Sequence, residues 1–338
     1  MPPAAAVPVL GVVLTVVAGI VGAIQSRANG TLGVALGDPL DATLWSFVSG
    51  WTLLTLAMLR RPSWRALALV RDGIRSGGLR VWMFVGGLIG GAFVAVQAYA
   101  VPLTGVALFL VCVVAGQTVG ALAVDGVGFG PSGRAPVTAT RVAAAVGTLA
   151  GVTVAVAPRL SAGGGPGIAA AVVLSFLVGA GTSVQTATNG LIQGASRSLT
   201  VTTWVNFTLA FGLILVITVG RLAFGTVHRP LDRPVPWWAW VGGLCGIVVV
   251  AVGSYAARRL GILLVILLMI AGQMAGGLLL DIVDAAARAR ITPLLVFGIL
   301  LTASSAAFAA YAAQRAMTTK TGAGDPEPST SRTSTRRP

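Results

Sequence analysis

Ten apolar stretches, separated by short polar or basic connections, run along the chain near residues 6–29, 40–59, 80–99, 103–124, 138–157, 167–190, 200–220, 237–256, 260–282 and 293–314. A helix rising about 1.5 Å per residue needs about 20 such residues to cross a hydrocarbon layer of about 30 Å. Strands of a membrane β-barrel would alternate apolar and polar residues over about ten positions, and these runs are unbroken and twice as long. The pattern predicts an all-α integral membrane protein of ten transmembrane helices. The first stretch lacks the basic leader of a secretory signal and carries a Gln-Asn pair that recurs later, so it is kept in the fold.

The few polar positions inside these stretches repeat. Gln25, Asn29-Gly30 and Phe47 return as Gln185, Asn189-Gly190 and Phe207, an offset of 160. Ala115-Gly116-Gln117 with Gly120 and Asp125 returns as Ala271-Gly272-Gln273 with Gly276 and Asp281. Gly86-Gly87, Gly90 and Tyr99 return as Gly242-Gly243, Gly246 and Tyr255, this set and the preceding one both at an offset of 156. Marks duplicated along the whole length mean a duplicated fold: a first repeat over 1–160, a second over 161–316, and a Thr-, Ser-, Pro- and Arg-rich tail over 317–338 expected to be disordered. Five spans per repeat is an odd number, so the second copy enters the membrane from the opposite face, giving two inverted five-helix repeats.

Composition agrees, with 9% charged and 56% hydrophobic residues, far from the quarter charged of a soluble domain. The net charge of +14 resides in connections and tail, where it sets orientation rather than binding nucleic acid. Most of the 23 Lys and Arg fall on the side holding both termini, which are therefore expected in the cytoplasm. Within the connection Arg60 to Arg75, Leu67, Val70 and Ile74 share a stripe among arginines, predicting a short helix that either lies on an anionic leaflet or only anchors orientation. Cys112 and Cys245 sit in apolar runs and His228 stands alone, so neither a disulfide, a metal site nor a cofactor is expected.

Amides inside apolar helices need partners. Gln25 and Asn29 share one helix face, as do Gln185 and Asn189, and each pair either lines a cavity at the axis between repeats or locks helices together. Gly116 with Gly120 and Gly272 with Gly276 form faces for close helix approach, with Gln117 and Gln273 beside the seam. Trp45, Trp204 and Asn206, with Tyr99 and Tyr255, complete the candidate lining, although interface anchoring also accounts for most of the tryptophans. Asp125 and Asp281 end their helices against the unfavourable end of the dipole. Pairing with Arg134 or Arg141, and with Arg288 or Arg290, would compensate, statically or as a gate. Arg27, the one strong charge inside a span, either snorkels outward or faces a polar cavity. The only Glu is Glu327 in the tail, which leaves no central glutamate for proton exchange.

The Gln-x-x-x-Asn-Gly of the first span, Ser46-Phe47 with Gly50 in the second, Gly-Gly-x-x-Gly in the third and Gly-Gln-x-x-Gly-x-x-x-x-Asp in the fourth resemble the YdcZ-type branch of the drug/metabolite transporter superfamily. Many members of that branch resemble one five-span copy, and this chain resembles two fused in tandem. The resemblance implies a multi-pass transporter of the bacterial cytoplasmic (inner) membrane working by alternating access, with membrane lipids and a small-molecule substrate as partners and a homodimer left open. The halves have diverged where Asn206, Ala210 and Gly253 stand against Ser46, Gly50 and Gln97. A passive channel or lipid scramblase on the same inverted repeat is the alternative. An intramembrane enzyme is not expected, because no Ser-His, paired-Asp or metal constellation lies in the spans.

Overall fold

The structure is a computed structural model that describes residues 9–129, 134, 137–161, 165–225, 234–260 and 262–322, with side chains of 160, 250, 253–260, 262–267 and 309–322 left out. Tyr255 thus falls outside the described side chains, and His228 and residues 323–338 outside the described residues. The first half supplies α1 (Val9–Leu36), α2 (Pro39–Met58), α3 (Arg61–Arg75), α4 (Val85–Thr104), α5 (Val106–Val127) and α6 (Ala139–Ser161). The second supplies α7 (Pro166–Ser196), α8 (Leu199–Ala223), α9 (Gly242–Leu260), α10 (Ile262–Val283), the single turn α11 (Ala285–Arg288) and α12 (Pro293–Gly322). All apart from α3 and α11 coincide with the ten apolar stretches. Among the described residues, six helices are long and apolar enough to cross a membrane, or up to seven with the bent α2–α3 pair. The described apolar parts of α9, α10 and α12 are shorter, for instance Leu268–Val283. Helix α12 continues to Gly322, past Met317, where the sequence places the start of the tail.

Local chemistry sets the breaks. Asp38 accepts a hydrogen bond from the Leu40 amide at 2.8 Å and caps α2, with Pro39 in its first turn. Ser198 caps α8 through the Val201 amide. Between α4 and α5 the chain turns at Gly105, whose φ of 79° is costly for any residue with a Cβ. Helix α2 bends by 102° into α3. The expected stripe of α3 is only partly right. Val70 is buried with Ala66 against Ile192, Val201 and Val205, and Leu67 is partly buried, while Ile74 stays exposed. Protein, rather than lipid, covers most of that face.

The main packing joins the halves. Helix α5 lies along α7, α1 along α10 and α6 along α12. These contacts are backbone to backbone. A Cβ on Gly116 would collide with the Phe176 carbonyl, and one on Gly179 with the Val113 carbonyl. Gly272 meets the Val16 carbonyl in the equivalent way, and Gly19 meets Met269. Helix directions follow from such pairs. Gly86 meets Thr188 and Tyr99 meets Gly167, so α4 is antiparallel to α7. Gly22 meets Val249 and Asn29 meets Gly242, so α1 is antiparallel to α9. Helix α5 is the centre of the core, with Leu108, Phe109, Val111 and Val114 inaccessible to solvent.

Leucine at Gly116 or Gly272 has to push two helix backbones apart, an overpacking cost of about 1–3 kcal/mol or more. Each substitution should lower the melting temperature of detergent-purified protein by several degrees. Gly212→Ala, where a Cβ meets nothing within 4 Å, should leave it unchanged or raise it.

Candidate functional site

A cavity of about 230 Å³ lies between the halves. Gln25 and Ser26 from α1, Phe47 from α2, Phe93 and Gln97 from α4 and Gln117 from α5 form one side. Gln185 and Asn189 from α7, Asn206 and Phe207 from α8, Gly246 from α9 and Gln273 from α10 form the other. None of the lining residues carries a titratable side chain. The sequence repeat explains the arrangement. Each Gly-Gly-x-x-Gly segment makes room for the amides of the opposite half: a Cβ on Gly90 would lie 2.8 Å from Nε2 of Gln185, and one on Gly246 3.4 Å from Nε2 of Gln25. The equivalent residues Phe47 and Phe207 meet each other edge to face, ring centroids 5.4 Å apart.

The amides divide into two groups. Asn29 donates to Oε1 of Gln97 at 2.6 Å, and Gln97 donates to Oγ of Ser26 at 2.7 Å. In the second half Gln185 donates to Oδ1 of Asn206 at 3.1 Å, and Asn206 donates to Oδ1 of Asn189 at 3.0 Å. These amides tie α1 to α4 and α7 to α8. Where the second half has Gly253 in place of Gln97, Asn206 in place of Ser46 supplies the missing amide. By contrast the side chains of Gln25, Gln117 and Gln273 make no hydrogen bond among the described residues and are only partly buried. In an apolar bundle such amides are paired at a cost if left dry, so their open groups face the cavity.

Several predicted positions lie elsewhere. Trp45 is 49% exposed and packs on Trp240, and Trp204 packs beside α3 and donates to Oγ1 of Thr55 at 3.0 Å. Phe47, Phe93 and Phe207 form the aromatic wall instead. Tyr99 reaches the Gly167 carbonyl. Gln97, which has no repeat partner, is not among the residues the sequence points to, although its place one helix turn from Phe93 and deep in an apolar run marks it.

The two aspartates differ. Asp125 pairs with Arg141, one of its two expected partners. Asp281 does not pair with Arg288 or Arg290; it is 2% exposed and accepts the backbone amides of Val106 and Ala107, each at 2.9 Å. The carboxylate thus caps α5, where the positive end of the helix dipole compensates it. Gly105 is what lets it approach, since a Cβ there would sit 2.7 Å from Oδ2. Arg27 does not line the cavity but pairs with Asp284, just past the end of α10, and Arg290 donates to the Pro102 carbonyl at 3.1 Å. Arg221 joins α8 to Asp38 and Asp41 at the start of α2. Among the described residues the ion pairs linking the halves therefore cluster at the end of the cavity beyond Asp281.

Leucine at Gln97 strips the partners from buried Ser26 and Asn29, and leucine at Asn206 does the same to Gln185 and Asn189. Each should destabilise the protein by about 0.6–2 kcal/mol. Gln273→Leu should leave thermal stability intact, as thermal unfolding in detergent will show.

One family model matches the chain over residues 10–154 and 170–308; its description reads "Putative inner membrane exporter, YdcZ". No curated protein and no solved structure matches.

Proposed function

Because the chain belongs to the YdcZ family of inner-membrane exporters within the drug/metabolite transporter group, we propose that it carries an uncharged, polar small molecule out of the cell by alternating access through the cavity between its halves. The ten long helices are the ten spans, arranged as two inverted five-helix repeats with both termini in the cytoplasm. The antiparallel course of α1 against α9 and of α4 against α7, and the meeting of Phe47 with Phe207, support this arrangement. An odd number of spans per repeat then places the Asp281 end outside and the Asp125 end inside.

The observation that carries the reading is the chemistry of the lining: amides from both halves, of which Gln25, Gln117 and Gln273 have free hydrogen-bonding groups, with three phenylalanines and no charge. A neutral solute with donors and acceptors matches such a wall. An anion or a strongly hydrated cation would be desolvated there without compensation. The cap of Asp281 on α5, with Arg27–Asp284 and Arg221–Asp38, ties the halves together at the outer end. Breaking that set is the step that opens the cavity outward.

A thermal-shift screen of neutral polar solutes on purified protein, followed by counterflow of the best ligand in liposomes, tests the proposal. Exchange should saturate, and Gln117→Leu and Gln273→Leu should each lower it by roughly tenfold, the weight of a lost hydrogen bond in a dry site, with folding retained. Exchange unchanged in both variants, or flux without exchange, would contradict it.

A further inference from the structure

A second concavity lies at the junction of α2 with α3, sharing no lining residue with the amide cavity. It encloses about 390 Å³ and is bounded by Ala57 and Arg60 at the end of α2, Ser63 on α3, and Arg197, Ser198 and Thr200 at the α7–α8 turn. Arg60 and Arg197 are both exposed, and neither forms an ion pair among the described residues. The one carboxylate on α3, Asp72, lies 3.4 Å from Arg71, and both are well exposed. Two guanidiniums with three hydroxyls across an open pocket, and no acid to neutralise them, make a site for a phosphate group.

We infer that this pocket binds the phosphate of an anionic phospholipid headgroup in the cytoplasmic leaflet. The sharp bend from α2 into α3 makes the pocket the elbow between a spanning helix and one lying across it. Leu56 and Leu59, each one residue before Ala57 and Arg60, are 58% and 69% exposed, and Trp64 on α3 is 57% exposed. An amphiphile thus finds guanidiniums for its phosphate and an apolar rail for its chains, with a tryptophan at interface depth. A free phosphate would use only the first of these. Arg197 also occupies a left-handed position, φ 54°, that glycine would take at lower cost.

The inference depends on membrane insertion but not on transport. Full-length protein in nanodiscs of phosphatidylcholine, titrated with phosphatidylglycerol and read by native mass spectrometry and thermal unfolding, tests it. Wild type should retain phosphatidylglycerol selectively and melt higher with it. Arg60→Gln and Arg197→Gly should each weaken retention by roughly tenfold. Arg197→Gly should at the same time melt no lower than wild type in phosphatidylcholine alone, because glycine relieves the turn, which separates lost binding from lost folding. Arg71→Gln with Arg75→Gln, on the same helix away from the pocket, should retain the lipid. Equal retention in all variants would overturn the site, as would an identical shift produced by inorganic phosphate at the same concentration.

Discussion

Close backbone contact between the two halves is the constraint on which this structure rests. Hydrophobic burial does little to bring helices together in lipid, where the surroundings are as apolar as the side chains, so association depends on close packing and on polar links. Here the close packing runs across the duplication, as do the ion pairs Arg27–Asp284 and Arg221–Asp38. Gly116 and Gly179 let α5 and α7 touch, Gly19 and Gly272 do so for α1 and α10, and Gly151 with Gly298 does so for α6 and α12. A single five-helix half would present these flat faces to lipid, with nothing to fill them.

The same cross-packing creates the cavity. Glycines on α4 and α9 leave room for long amides from α7 and α1, and the amides that remain unpaired open into the gap between halves. Rigid ties run within each half, through Gln97 in one and Asn206 in the other, while the ionic ties between halves gather at one end.

Much of this was legible in the residues. Uninterrupted apolar length gives the ten long helices, and the repeated glycines and amides give the two halves and most of the cavity wall. What escaped has physical reasons. The partner of Asp281 is a pair of backbone amides at the start of α5, and backbone donors leave no side-chain mark in a sequence. Gln97 was hidden because divergence removed its counterpart, so a reading built on repetition discounted it. Trp45 lies two residues from Phe47, about 200° around the helix, and the Trp204 indole, on nearly the same face as Phe207, is taken up instead by Thr55 and the packing of α3. The face of α3 looked suited to lipid because its cover comes from α7 and α8, more than a hundred residues further along the chain.

The central claim is that equivalent connections of the two halves emerge on opposite faces of the membrane. In a chain with Cys112 and Cys245 replaced by alanine, single substitutions Ser76→Cys, between α3 and α4, and Phe224→Cys, after α8, occupy equivalent intervals of the two repeats. A membrane-impermeant maleimide added to intact cells should label Phe224→Cys from outside and should label Ser76→Cys only after the membrane is opened. Labelling of both from the same face would contradict the inverted arrangement and the shared cavity that depends on it.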